Sequence, residues 1–140
     1  MSVKFKAVER VNPRDLSLPR KYYAQVINGA EVDFDDLADL ISKLSSLNFG
    51  EVMGALGALV EIIIIQLKEG NPVNLGSLGT FYLTMRSEGV ASPEELSSNN
   101  IKSAVIQFRP AKRLKKMLET LDFEKVSTPS ASPPGEDTSD

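Results

Sequence analysis

Apolar and polar residues recur along the chain with two periods, and these divide it into strands and helices. Alternation with a period of two is typical of a strand, whereas recurrence every three or four residues is typical of a helix. The strands are predicted at residues 3–10, 20–27, 73–86 (as two strands or one bent strand), 103–109 and 123–126. The helices are predicted at about 34–45, 49–68 and 111–121. The fold class is therefore α+β, and we expect the first two strands to pair as a long-looped hairpin.

Local signals support the first two helix boundaries. Asp33 is an expected N-cap of the first helix, which also explains the neighbouring acids better than a cation site does. Asn48 is an expected N-cap of the second, and Glu51 three residues later completes a capping-box pattern. A Gly-Asn-Pro sequence at residues 70–72 ends the second helix.

The second helix is apolar nearly all the way round. One stripe of its residues recurs at helical spacing: Val52, Leu56, Leu59, Ile63 and Leu67. The four isoleucines at 62–65 favour a strand by propensity, but the length and the cap argue for a helix. Its most apolar run, residues 56–67, is shorter than the roughly 20 residues that a membrane span needs. A body of 126 residues has too few elements to surround such a helix, so we infer burial at a subunit interface.

Composition excludes several kinds of chemistry. The 140 residues include no cysteine and no histidine, which excludes disulfides, thiolate or imidazole metal sites and the usual nucleophile–base pairs. We therefore predict no catalytic residues, no metal site, no cofactor and no small-molecule substrate. The start of the chain has no apolar segment of the secretory type, and we expect a cytoplasmic protein with no membrane association.

The charges are sorted along the chain. Residues 1–26 carry six bases and two acids, residues 27–69 carry two bases and eight acids, and residues 101–118 carry six bases and no acid. Residues 127–140 hold three acids and no base among Ser, Thr, Pro and Gly, which predicts a disordered acidic tail after a domain at 1–126. The overall charge of −3 thus conceals two basic blocks, which are candidate surfaces for a polyanion.

Two separated motifs carry a family resemblance. The first runs from Glu69 to Phe81 (EGNPVNLGSLGTF), and the second from Phe108 to Lys115 (FRPAKRLK). Together they resemble the HU/IHF family of bacterial histone-like proteins, in which a helical pair is followed by a glycine-punctuated strand, a β-arm and a basic motif. The matching residues are Gly70, Val73, Leu75, Gly79, Thr80, Phe81, Phe108, Pro110, Lys112, Leu114 and Lys115. The extra segment at residues 1–28 resembles a longer, HU-related branch of that family.

The resemblance implies an intertwined two-fold dimer with a β-sheet saddle that holds double-stranded DNA. It implies a homodimer or a heterodimer with a paralogue, and a nucleoid location. The candidate phosphate contacts are Arg86, Lys102, Arg109, Lys112, Arg113, Lys115 and Lys116. The candidate dimer contacts are Leu56, Leu59, Ile63, Phe81 and Phe108. Two interpretations of the basic helix remain open at this point, a phosphate-binding surface and a solvated helix face.

The predicted arm, residues 87–101, departs from the family pattern. HU-like arms are rich in Arg and Lys, and a proline near the tip wedges between base pairs. Here the arm holds three acids and no base, and Pro93 near the expected tip is either such a wedge or an ordinary turn proline. Phosphates should repel an arm of this charge, which weighs against wrapping and strong bending.

Two functions are consistent with the sequence. The first is a non-enzymatic, histone-like protein that binds double-stranded DNA with low sequence specificity, since phosphate contacts carry no sequence information directly. The second is an HU-like dimer that serves as a protein-interaction or assembly module with weak or no DNA binding, which the acidic arm and the neutral body support. The bases of the amino-terminal segment either extend the DNA surface or belong to a simple edge hairpin.

Overall fold

The computed structural model describes residues 1–127, and the predicted acidic tail lies almost wholly outside the described residues. Along the chain the elements are β1 (Val3–Arg10), β2 (Lys21–Val26), α1 (Phe34–Leu44), α2 (Phe49–Lys68), β3 (Val73–Asn74), β4 (Gly79–Ser87), β5 (Ile101–Pro110), α3 (Lys112–Leu118) and β6 (Phe123–Lys125). Two short 3-10 turns, Pro93–Glu95 and Ser98–Asn100, lie between β4 and β5. The α+β prediction is confirmed. The chain divides into two compact units, one formed by residues 1–31 with the segment from residue 120 onward and the other by residues 32–119.

The first unit is built on a three-stranded sheet in the order β2-β1-β6. The predicted hairpin is confirmed, because β1 and β2 pair antiparallel from Phe5 opposite Val26 to Arg10 opposite Lys21. The third strand, β6, pairs in parallel with the start of β1. The alternation at 123–126 predicted that strand, but no local signal identifies a partner about 120 positions away.

Both predicted helix caps are present. The Asp33 carboxylate accepts a hydrogen bond from the Asp36 backbone N–H at 2.9 Å, and the Asp36 carboxylate accepts one from the Asp33 N–H at 3.2 Å. Asn48 and Glu51 form the same reciprocal pair at 2.9 and 3.0 Å. These capping boxes satisfy backbone donors that have no partner within the helix, so α1 and α2 begin where the sequence predicts.

The predicted stripe of α2 faces the interior of the second unit. Val52 and Leu67 are buried, and the stripe residues between them are half-buried. Ala38 of α1 is the other buried apolar residue among those described. By length and composition alone α2 would suffice to cross a membrane, so the shortness of its most apolar run does not exclude a span. It packs against α1, β3 and β4, and Val52 and Leu67 are its buried residues.

The second unit also contains a three-stranded antiparallel sheet, in the order β3-β4-β5. The stretch 73–86 thus forms two strands, and the turn between them contains Gly76 at φ 63°. Asn74 Oδ1 accepts a hydrogen bond from the Gly76 backbone N–H at 2.8 Å and closes this turn. Gly79, at φ 149°, begins β4 and directs Phe81 toward Phe108, with 5.0 Å between the ring centroids.

Two predicted boundaries were wrong in detail. The basic helix α3 spans seven residues and ends at Leu118 rather than near Leu121, and Pro110 is the last residue of β5 instead of the first of the helix. Strand β5 begins at Ile101, two residues before the predicted start. The differences at Pro110 and at Ile101 arise from pairing with β4, which continues to Pro110 at one end and Ile101 at the other.

Candidate nucleic-acid interface

The two faces of the β4–β5 ladder differ in chemistry. Directly opposite residues in an antiparallel pair share a face, so Phe81 and Phe108, Leu83 and Ile106, and Met85 and Ala104 form one apolar face. This face is turned toward α2, because Ile64, Leu67, Leu83 and Ile106 line a common hollow of about 230 Å³. The alternate positions form the outer face of the ladder.

Two of the predicted phosphate contacts lie on that outer face. Arg109 is opposite Thr80, and Arg86 is opposite Ser103 nearer the arm. The Arg109 guanidinium lies over the Tyr82 ring at 5.5 Å from the centroid, a cation–π contact that holds the side chain across the sheet. Sequence reasoning missed this role of Tyr82. The available signal was its position two residues after Thr80, which places both side chains on one face of a strand.

Lys102 sits at an irregularity of the ladder. Arg86 pairs with Ser103 whereas the next residue, Ser87, pairs with Ile101, so Lys102 is the extra residue of a β-bulge. The bulge lies where the ladder ends and the arm begins. It places a second base beside Arg86 at the root of the arm.

Helix α3 follows β5 directly and carries the densest group of bases. The Ala111 backbone N–H donates to the Leu78 carbonyl at 3.1 Å, which ties the start of the helix to the β3–β4 turn. Leu114 is half-buried, whereas the four bases of the helix, Lys112, Arg113, Lys115 and Lys116, are exposed. Among residues 1–127 the two ion pairs are Arg20–Glu9 and Lys43–Asp39, so no acid of this part of the chain neutralises the predicted contacts.

The arm is short and turned rather than a long extended hairpin. The Glu88 backbone N–H donates to the Asn100 carbonyl at 2.9 Å just beyond the end of the ladder. Pro93 is exposed and occupies the first position of a 3-10 turn, where its fixed φ suits the backbone. This backbone geometry is sufficient to explain a proline at this position. Insertion of Pro93 between base pairs of DNA remains a prediction.

The predicted dimer contacts are only partly covered within one protomer. Leu56, Leu59, Ile63 and Phe81 are half-buried, and Phe108 is 41% exposed. Further apolar side chains are exposed and were not among the predicted dimer contacts: Val60, Ile62, Ile64, Ile65 and Ile106. For the residues on α2, the signal in the sequence was the presence of more apolar residues than a single helical stripe requires.

In the second unit α1 packs on α2 and α2 packs on the β3–β4–β5 sheet, with an arm at one end of the β4–β5 ladder and a basic helix at the other. This arrangement places the second unit in the HU class of folds. A family model described as an HU domain fused to a winged helix-turn-helix, Ig or glycine-rich motif (HU-HIG) matches residues 1–125. The chain belongs to this HU-HIG family, and the resemblance drawn from the two motifs is confirmed.

The chain is also similar to individual proteins. The DNA-binding protein HU of Haemophilus influenzae is 40% identical over 52 residues, which cover 37% of this chain and 58% of that protein. A crystal structure of a proposed bacterial DNA-binding protein from Bacteroides vulgatus superimposes with a TM-score of 0.64 at 16% identity, covering 92% of this chain and 50% of that one. Anabaena HU in a cocrystal with DNA matches with a TM-score of 0.49 at 21% identity, over 61% of this chain and 96% of that one. The chain therefore spans 58% of the Haemophilus protein and 50% of the Bacteroides protein.

Proposed function

We propose that the protein is a non-enzymatic, nucleoid-associated component of the bacterial cytoplasm that binds double-stranded DNA as a dimer, with low sequence specificity. The observation that carries the proposal is a set of seven bases without an ion pair among residues 1–127, within an HU-type fold: two on the outer face of β4–β5, one in the bulge at the root of the arm and four on α3. Membership in the HU-HIG family and the name of the Haemophilus relative support DNA as the polyanion.

The dimer in this proposal is a homodimer, and a paralogue of the same fold would be an equivalent partner. Ile64 of α2 and Ile106 of β5 are 43% and 64% exposed and line one apolar hollow with Leu67 and Leu83. A monomer would expose this surface to water at a cost of about 25 cal/mol for each Å². A second copy would cover it and bring two sets of α3 bases into one binding surface.

The test is a gel-shift titration with duplex DNA at increasing salt. Binding should weaken steeply, with a log–log slope of about −0.9 for each phosphate contacted. The double variant K112E/K115E should weaken binding to all sequences alike and flatten this slope. The control is K43E, because Lys43 is exposed on α1, pairs with Asp39 and is not one of the proposed contacts. An unchanged slope in the double variant would refute the proposed surface.

A second function is favoured by a specific observation, the arm charge of −3. An HU-like dimer with such an arm could serve as an assembly module with weak or no DNA binding. Failure to retain duplex DNA even at low salt would favour this function over the first. Titrations with linear, nicked and cruciform duplexes would show in addition whether binding depends on a bent or distorted shape.

A further inference from the structure

The sheet of the first unit has one apolar face and one basic face. Successive side chains of a strand point to opposite faces, and opposed residues of an antiparallel pair point to the same one. Phe5, Ala7, Ala24 and Val26 therefore share one face. The other face carries Lys4, Lys6, Val8 and Arg10 of β1 with Lys21, Tyr23 and Gln25 of β2, and Glu124 of β6 lies beside Lys4 on it.

The bases of this second face follow the length of β1. Lys4 and Arg10 are six positions apart along β1, which corresponds to about 20 Å in a strand. Lys6 lies between them, and Lys21 extends the row onto β2. None of the four forms an ion pair with an acid of residues 1–127, where the amino-terminal bridge is made by Arg20 with Glu9. Glu124 lies beside Lys4, so the positive charge that the row offers to a polyanion is least opposed toward Arg10 and Lys21.

One pair in this row is unfavourable to the fold. Arg10 and Lys21 lie directly opposite each other, and like charges in that position destabilise a sheet. Such a local conflict is expected where a ligand, rather than the fold, requires the residues. An anion bound between them would remove the repulsion.

A cleft opens beside this pair. It encloses about 710 Å³, and its walls include Val11, Pro13, Leu18 and Pro19 together with Arg10, Lys21 and Tyr23. The Arg10 guanidinium lies over the Tyr23 ring at 5.6 Å from the centroid, and Tyr23 is 48% exposed. The volume falls in the range of small-ligand sites. Apolar walls, an aromatic ring and two cations suit a planar base joined to a phosphate.

We propose that the basic face of the β1–β2 sheet is a second nucleic-acid site, which binds a single strand by phosphate contacts along Lys4, Lys6, Arg10 and Lys21 and by insertion of one base into the cleft beside Tyr23. A single strand fits better than a duplex, because the bases of a duplex are stacked and paired whereas those of a single strand are free to stack on an aromatic side chain. The site is separate from the DNA surface of the second unit, and the proposal does not depend on it.

The test is fluorescence anisotropy of the full chain with a labelled oligothymidylate of about 12 nucleotides, which cannot form a duplex with itself. The variant R10Q/K21Q should weaken binding about tenfold at low salt and reduce the log–log salt slope by about 0.7 for each phosphate that the protein no longer neutralises. The same variant should melt at an equal or higher temperature, because it removes the cross-strand repulsion. Weaker binding by a protein of undiminished stability cannot be explained by misfolding.

A pair of adjacent tyrosines provides the matched control. Y23L should weaken oligothymidylate binding about fivefold or more, because leucine offers no aromatic ring on which a base can stack. Y22L changes the same residue type on the opposite face of β2 and should leave binding unaltered. Equal effects of the two substitutions, or undiminished binding by R10Q/K21Q, would overturn the proposal.

The second unit is controlled separately. K112E/K115E should retain oligothymidylate binding whether or not it still binds duplex DNA. Loss of oligothymidylate binding in K112E/K115E, with full retention in R10Q/K21Q, would assign the single strand to the second unit and refute this site. The duplex titration alone decides the function proposed for α3, so failure of either proposal can be recognised independently.

Discussion

At Gly79 the backbone has φ 149°, a conformation that residues with a side chain rarely adopt. A Cβ atom here would lie 2.5 Å from the Arg109 carbonyl oxygen and 2.7 Å from the Phe108 ring. The position therefore requires glycine for its backbone angle and for the close approach of β5. Because residue 79 is glycine, β5 can lie close against the start of β4, where Phe81 contacts Phe108.

We expect Gly79→Ala to destabilise the protein by about 2–4 kcal/mol, because it combines backbone strain with overlap in a packed sheet. Thermal or denaturant unfolding followed by circular dichroism measures this difference. The control is Gly29→Ala, since nothing lies within 4 Å of a Cβ at Gly29 and its φ is not positive. Equal stability of the two variants would contradict this account of Gly79.

Some residue-scale features could be predicted directly from the sequence. Asn48 with Glu51 forms a capping box because both partners lie within one helical turn, so their spacing is sufficient evidence. The contact between Arg109 and Tyr82 could not be predicted in this way. It depends on the register between two strands that the whole arm separates along the chain.

At the scale of elements, the arm carries the main difference from a typical HU surface. Glu88, Glu94 and Glu95 are exposed between the end of β4 and the start of β5, next to the bases Arg86 and Lys102. Their negative charge opposes phosphates that approach the root of the arm. The arm thus reduces the attraction that the outer face of the ladder provides.

Neutralising the arm should strengthen duplex binding. We expect the triple variant E88Q/E94Q/E95Q to bind DNA several-fold more tightly at low salt, with the difference declining as ions screen the charges. Gel-shift titrations at two salt concentrations measure this effect. Glu61→Gln, at an exposed position of α2, is the single-charge control. An affinity that does not change in the triple variant would show that phosphates do not approach the arm.

For the molecule as a whole, the exposed apolar residues of α2 are the property on which the proposed dimer rests. Within one protomer Ile62, Ile64 and Ile65 are 52%, 43% and 52% exposed, although α2 already packs against α1 and β4. Exposed apolar residues of this size are uncommon in such number on one helix of a monomeric protein. In the proposed dimer the helix would contribute to two cores, one within the protomer and one between protomers.

Sedimentation equilibrium should give about twice the chain mass of 15.3 kDa. Ile64→Glu should shift the protein toward the monomer, because it would place a charge within the apolar surface. Leu16→Glu, in the exposed loop between β1 and β2, is the matched control and should leave the mass unchanged. A folded wild-type monomer at micromolar concentration would refute the dimer and the continuous DNA surface that depends on it.

The sequence by itself determined the features that depend on neighbours along the chain. The period of apolar residues, the caps at Asp33 and Asn48 and the glycines of the β3–β4 turn act over a few residues, so α1, α2 and most strands were predictable within a residue or two. The two motifs around Phe81 and Phe108 also identified the family, because their order and spacing can be recognised in the sequence alone.

Only the tertiary structure decided which distant residues meet. The partner of β6, the bulge at Lys102 and the division of the bases between two faces follow from strand register, and a shift of one residue would move each side chain to the opposite face. Strand register likewise places Arg10 directly opposite Lys21, beside an open cleft. Register is decided by packing across the whole sheet, which no local pattern encodes.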